Sequence, residues 1–257
     1  NHVPDPYHKE NMKDLRKEVL KQKADLGIAY DGDGDRAGFV DDKGNLINGY
    51  DLLMIFTKDA FNKKQGPIVV DSRASMALIE EVKKYKQPIE LTVGYHAAVL
   101  AKIIEKNAVF GGEVTCHFYF PLEYYLTDDA LFASLKLVQI ISEKEDFTAF
   151  LNSLPRYCAS EEIFIKFSDA KKYQAVANFT KMAKKKGLDV NDIDGARINF
   201  KNGWGIVRPS NTSAFIKVIF EGKTNKDLLD IMRKIINLMD ESGIVMPENQ
   251  RKKICKK

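Results

Sequence analysis

Asp31-Gly32-Asp33-Gly34-Asp35-Arg36 sets three carboxylates two residues apart, divides them with glycines and closes them with an arginine. Such a run packs poorly and binds cations well. The preceding residues 24–30 (Ala-Asp-Leu-Gly-Ile-Ala-Tyr) read as a short buried strand, and 37–40 (Ala-Gly-Phe-Val) as another. The hexapeptide is therefore expected as a tight loop at a strand end. Carboxylates held that close repel one another unless a divalent ion neutralises them. Oxygen ligands with no His or Cys nearby favour Mg2+ or Ca2+ over zinc. An EF-hand loop also starts with alternating Asp but needs Gly at its sixth position and Glu at its twelfth, where this chain has Arg36 and Asp42. A solvated acidic turn is the plain alternative, yet it requires neither strict alternation nor the arginine. Beside a metal, the Arg36 guanidinium can clamp an anionic group at two points, which makes phosphate the natural third party.

Two further loops are rich in polar chemistry. After Gly111-Gly112, the residues Glu113, Thr115 and His117 alternate with Val114 and Cys116. In an extended segment, alternation puts all three on one side. A carboxylate and a hydroxyl so placed suit neighbouring sugar hydroxyls, and His117 suits a phosphate or a proton transfer. Alternatively, His117 is a structural histidine beside Phe118, Tyr119 and Phe120. Nearer the C-terminus, Arg208, Ser210, Asn211 and Thr212 gather donors in a loop between strand-like runs at 203–207 and 214–220. That composition suits an anion cradle, or else a polar hairpin turn.

In this order, the three stretches resemble the α-D-phosphohexomutases, the phosphoglucomutase and phosphomannomutase superfamily, over essentially the whole chain. The run at 31–36 resembles the family's metal loop. Residues 111–117 are similar to its sugar-binding loop, usually GE-x-SGH, and 204–212 to its phosphate-binding loop, usually R-x-SNT. The resemblance implies an enzyme, an intramolecular phosphotransferase that interconverts hexose 1-phosphate and 6-phosphate through a phosphoserine and a bisphosphate intermediate. By the same resemblance, Asp31, Asp33 and Asp35 hold Mg2+ and Arg36 steadies the moving phosphate. Glu113 and Thr115 bind sugar hydroxyls, His117 assists binding or proton movement, and Arg208, Ser210, Asn211 and Thr212 anchor the second phosphate. Implied ligands are hexose phosphate and hexose bisphosphate. Resemblance at the Glu113 loop ranks hexose mutases above N-acetylglucosamine-phosphate mutases.

Departures from the family pattern are equally specific. Cys116 stands where the loop usually has Gly and adds a Cβ. Near Thr92-Val93-Gly94-Tyr95-His96, similar enzymes carry a Lys and a Gly-His pair, so a cation and an imidazole are lost at Thr92 and Tyr95. His96 can replace the latter only with a one-residue shift, which reverses side-chain facing in extended structure. Nothing in the chain resembles the TASHNP-type loop that carries the family's serine. The opening residues 1–6 resemble a loop inside the family's second domain, so the upstream domains are expected before Asn1 and are partners the reaction needs. A non-catalytic sugar-phosphate-binding or structural fragment is the alternative.

Composition fits a globular chain: 257 residues, 44% hydrophobic, 30% charged. A net charge of +4 makes no case for nucleic acid. The basic runs at 181–186 and 251–257 read as a solvated helix face and a tail. Cys116, Cys158 and Cys255 have neither metal spacing nor an even count, which suggests a reducing, cytoplasmic setting. Neither a signal peptide nor a long apolar run occurs, so no membrane role is expected.

Periodicity predicts helices at 11–22 and 50–61, with a turn and short strand at 44–49 between them. From 67 onward, strands at 68–70, 89–93 and 109–110 alternate with helices at 75–85, 97–105 and 128–142, an α/β layered pattern with a largely parallel sheet. Ligands of such sheets sit beyond the carboxyl ends of the strands, where the Glu113 loop falls. Pro155 marks a boundary within 152–160. Thereafter a strand at 162–167, a helix at 170–186, strands at 195–200, 203–207 and 215–221, and a helix at 225–241 suggest a smaller α+β domain with an antiparallel sheet. The apolar stripe Leu228, Leu229, Met232, Ile235, Ile236 and Met239 reads as core. Three segments result: 1–48, the end of a second domain with the metal loop; 49–154, a third domain with the sugar loop; and 155–257, a fourth with the phosphate loop.

Overall fold

The computed structural model describes residues 3–248 and 250–251. Cys255, most of the basic tail at 251–257 and the first two of the opening residues 1–6 therefore lie outside the described residues. Chain contacts divide the protein into two units, Asn1–Ala74 with Leu78–Pro155, and Ser75–Ala77 with Arg156–Lys257.

In the first unit, a 3-10 turn (Lys9–Met12) leads into α1 (Lys13–Gln22), so the helix expected from residue 11 begins two residues later. β1 (Leu26–Tyr30), β2 (Ala37–Asp41) and β3 (Leu46–Ile47) form an antiparallel sheet in that order. Val19 of α1 and Met12 pack on Val40 of this sheet. Tyr30 pairs with Ala37, which leaves 31–36 as the connecting loop of a hairpin.

α2 (Gly49–Lys63) starts at Asn48, whose side chain caps it by accepting from the Asp51 N–H. A second sheet runs β5 (Ile89–Thr92), β4 (Ile68–Asp71), β6 (Phe110–Gly112), β7 (Phe118–Tyr119). The first three are parallel and β7 is antiparallel to β6. α3 (Met76–Lys84) and α4 (His96–Lys106) make the crossovers. Val69, Val99, Ile103 and Tyr119 form a core between sheet and α4. Phe56 of α2 lies 4.9 Å from Phe118, 5.1 Å from Phe120 and 6.2 Å from Phe110, ring centre to ring centre, and this aromatic cluster flanks both ends of the Glu113 loop. Truncating such a buried Phe costs about 3–5 kcal/mol. α5 (Ala130–Ser142) is capped by Asp129, and α6 (Phe147–Ser153) by Asp146. α6 was not expected, because seven residues are too few to show a helical period.

In the second unit, β8 (Cys158–Ala159), β9 (Ile163–Lys166), β10 (Asp189–Asn191), β11 (Ala196–Phe200), β12 (Gly203–Pro209) and β13 (Phe215–Gly222) form one antiparallel sheet. Its order is β10-β11-β12-β13-β8, with β9 also on β13. α7 (Lys172–Lys185) and α8 (Asn225–Glu241) supply the rest of the core, where Phe179, Ile235 and Met239 meet Ile198, Val207 and Phe220. The expected α8 stripe is that core: Met232, Ile235, Ile236 and Met239 are buried, and Leu228 and Leu229 partly so. Thr224 and Asp227 close α8 with a reciprocal capping box. The mixed α/β class with a mainly parallel sheet, followed by an antiparallel α+β unit, is the architecture expected.

Candidate functional site

The acidic loop is organised by its first carboxylate. Asp31 is buried; its Oδ1 accepts from the backbone N–H groups of Gly34 (3.1 Å) and Arg36 (3.2 Å), and its Oδ2 from Arg36 Nε (2.7 Å). Gly34 takes φ +76°, the left-handed conformation that a tight turn assigns to glycine. Burial would raise the Asp31 pKa, but hydrogen bonds from Asp35 and Arg36 and the Arg36 charge hold it down at about 2. Asp35 moves the other way: burial and the neighbouring Asp31 push it above the ordinary carboxylate value. One carboxylate is thus fixed as an anion while its neighbour resists ionisation.

Whether these residues fit a divalent cation can be judged from their oxygens. One from each of Asp31, Asp33 and Asp35 lies within 4.8 Å of the others. Asp35 Oδ1 is buried without a hydrogen-bond partner, and Asp33 is exposed. A carboxylate oxygen without a hydrogen bond, 3.6 Å from Arg36 Nε, within an all-oxygen set fits Mg2+.

The Glu113 loop converges differently from the expected extended segment. Glu113 N–H donates to His117 O (2.9 Å) and Cys116 N–H to Glu113 O (3.0 Å), so 113–117 is a tight turn. Turn closure, not alternation along a strand, brings Glu113, Thr115 and His117 together. Cys116, at the family's usual Gly, takes φ +73°. Desolvation pushes its half-buried thiol up to about 12, which disfavours the reactive thiolate. A Cβ on Gly49 would collide with Val114 O, so the start of α2 lies directly under this turn.

Glu113 is buried, with Oε1 lacking a hydrogen-bond partner and Oε2 accepting from Thr115 Oγ1 at 3.3 Å. Burial and the Asp71 charge raise its pKa. Sequence reasoning placed a lost cation at Thr92; the structure supplies one from the turn that follows β4. Arg73 forms a two-point pair with Asp71 (Nε to Oδ1 3.0 Å, a second nitrogen to Oδ2 3.0 Å) and stands 3.5 Å from Glu113 Oε2. Asp71 Oδ2 also accepts the Val114 N–H at 2.7 Å. The available signal was a charged Asp-Ser-Arg at the end of an apolar strand.

The acidic loop and the turn meet. His117 Nδ1 lies 3.5 Å from Asp35 Oδ2 and 2.9 Å from Asp128 Oδ2. Burial lowers the His117 pKa, but the Asp128 hydrogen bond and the charges of Glu113, Asp35 and Asp128 outweigh it and raise the value. His96 opens α4 rather than continuing β5, so strand alternation does not govern its facing. Its Nδ1 is 3.9 Å from Asp128 Oδ2, and its ring centre 6.4 Å from that of His117. Tyr95 is exposed.

In the second unit, β12 extends to Pro209, so Arg208 lies on a strand opposite Lys217, and not in the loop where it was expected. Its guanidinium is buried between Glu162 (3.2 Å) and Asp194 (3.4 Å), while Nε has no hydrogen-bond partner. Ser210 Oγ shares a hydrogen bond with Ser213 Oγ (2.8 Å). Asn211 is exposed and Thr212 follows it in the same loop.

An acidic loop against a polar turn of a mainly parallel sheet, in a chain ending with an antiparallel α+β unit, defines a layered α/β protein with a polar site where loop and turn meet. Comparison with known proteins sharpens this. Models of phosphoglucomutase/phosphomannomutase match residues 1–44 (alpha/beta/alpha domain II), 48–157 (alpha/beta/alpha domain III) and 162–238 (C-terminal domain). The chain belongs to the phosphoglucomutase/phosphomannomutase family. It is 32% identical over 231 residues to a phosphomannomutase/phosphoglucomutase of Pseudomonas aeruginosa, covering 89% of this chain and 50% of that protein. A "Probable phosphoglucosamine mutase" of Methanosarcina barkeri is 35% identical over 237 residues, covering 90% and 52%. A crystal structure of a phosphoglucomutase/phosphomannomutase family protein from Burkholderia thailandensis superposes with a TM-score of 0.85 at 29% identity, over 93% of this chain and 52% of that one. Aspergillus fumigatus N-acetylphosphoglucosamine mutase, solved with GlcNAc-6P and magnesium, shares the fold at a TM-score of 0.59 and 15% identity, over 89% and 53%. The chain spans about half the length of these relatives. No helix among the described residues is long and apolar enough to cross a membrane.

Proposed function

We propose that this chain carries the metal, sugar and phosphate loops of a phosphohexomutase that interconverts hexose 1-phosphate and 6-phosphate through a bisphosphate. The observation that carries this reading is the 3.5 Å approach of His117 to Asp35, which joins two loops far apart in sequence. The segments 1–48, 49–154 and 155–257 are the reading's division of the chain into the end of a second domain, a third and a fourth.

Asp31, Asp33 and Asp35 hold Mg2+, which supplies positive charge to a transferring phosphoryl group. Arg36, fixed by Asp31, presents its remaining donors to the same phosphate. Glu113 Oε1 is the open acceptor for a sugar hydroxyl, Thr115 adds its hydroxyl, and Arg73 holds Glu113 in place. His117 takes or returns the proton of the reacting hydroxyl. Arg208, through its open Nε, with Ser210, Asn211 and Thr212, anchors the phosphate that is not transferred. An anchor that accepts a phosphate from either end of the sugar lets a bisphosphate turn over between two half-reactions.

The relatives named above act on both hexose and amino-sugar phosphates, so the test compares glucose 1-phosphate, mannose 1-phosphate and glucosamine 1-phosphate. Each is supplied with Mg2+ and the matching bisphosphate, to this chain and to a form extended upstream. The extended form is expected to convert a hexose phosphate and this chain alone to convert none, because no serine loop occurs in it. Conversion by neither form favours the second reading, a non-catalytic sugar-phosphate-binding fragment.

A further inference from the structure

We propose that Asp128 is a positioning residue that fixes the tautomer and orientation of His117; this rests on the function proposed above. An imidazole Nδ1 carries one proton and can satisfy one acceptor. Two carboxylates face it: Asp128 Oδ2 at 2.9 Å and Asp35 Oδ2 at 3.5 Å. The first distance is that of a good hydrogen bond and the second is at its outer limit. The proton therefore lies between Nδ1 and Asp128. Nε2 keeps the lone pair, which a general base needs to accept a hydroxyl proton.

Asp128 is itself held from several sides. It precedes Asp129, which caps α5, and the Ala130 N–H donates to Gly34 O at 3.0 Å, binding the start of α5 to the acidic loop. The Tyr119 hydroxyl donates to His96 O at 3.1 Å and also faces Asp128. His96 Nδ1 stands 3.9 Å from the same carboxylate oxygen. A half-buried acceptor held from these sides leaves the ring one preferred orientation. It also relieves Asp35 of the histidine proton, freeing that carboxylate for a cation.

Nitrogen NMR of the whole chain with 15N-labelled histidine tests this, since there are only four histidines to assign. Spectra are taken with Mg2+ present, so that Asp35 cannot substitute for Asp128, and at a pH where the ring is neutral. The expected result is Nδ1–H on His117 in the wild-type chain, a loss of that preference in Asp128→Asn, and its return in Asp128→Glu. Nε2–H in the wild type, or Nδ1–H unchanged in Asp128→Asn, overturns the proposal, and the wild-type result needs no variant to fold. In the upstream-extended protein, Asp128→Asn is expected to lower kcat by about 10²–10⁴-fold with KM little changed. An unchanged kcat in an active enzyme removes the positioning role. A wild-type chain with the Nδ1–H tautomer whose extended form converts no sugar phosphate removes the proposed function alone.

Discussion

Asp71 and Arg73, two residues apart at the end of β4, form a fully buried ion pair whose carboxylate also holds the backbone of the Glu113 turn through Val114. Breaking one partner of such a pair leaves an uncompensated buried charge, at a cost of about 3–5 kcal/mol. Asp71→Asn is therefore expected to destabilise the chain by that amount in urea unfolding and to loosen the turn, whereas exposed Asp14→Asn changes stability by less than about 0.5 kcal/mol.

The same pair gives stability a defined acid limit. Burial opposes ionisation of Asp71, but Arg73 and the Val114 N–H overcome it and lower the pKa from its ordinary 3.8. A lowered carboxylate contributes stability above its unfolded pKa and loses it as pH falls through the folded value. Glu113 runs oppositely: its pKa is raised from 4.5, so the folded state binds the extra proton and stability falls as pH rises above 4.5. Glu113→Gln should therefore gain on the wild type as pH rises from 4.5 toward neutrality, and the two should converge near pH 4.5, as thermal unfolding across that range will report.

Cys116 holds φ +73° without glycine's freedom. A non-glycine residue in this region costs of order 1 kcal/mol. Cys116→Gly is expected to stabilise the chain by about 1 kcal/mol in urea unfolding, offset in part by the entropy glycine adds to the unfolded state. A net loss larger than that would show that the half-buried thiol packs better than its backbone suggests.

Local chemistry was legible in the sequence where it was self-contained. The Asp-Gly alternation between two apolar strands marked the 31–36 hairpin, and the stripe ending at Met239 marked α8 and its buried face. Pairing between distant residues was not legible. Arg73 reaches Glu113 only because β4 and β6 are neighbours in the sheet, and Asp128 reaches His117 only because α5 starts on the acidic loop. β8 and β10 are too short to show a period of two and exist through their partners. The 113–117 turn was mistaken for extended chain because alternating polar residues look alike in both until the Glu113 to His117 hydrogen bond closes the loop.

Asp33 offers the cleanest probe of the cation site, since it is exposed and takes no part in holding the loop together. Calorimetric titration of Mg2+ into the 257-residue chain and its Asp33→Asn variant is expected to show one site in the wild type, weakened about tenfold or more in the variant, a loss of about 1.4 kcal/mol. Absence of Mg2+ binding, or equal affinity in Asp33→Asn, would contradict a cation held by the acidic loop and with it the phosphohexomutase reading of this site.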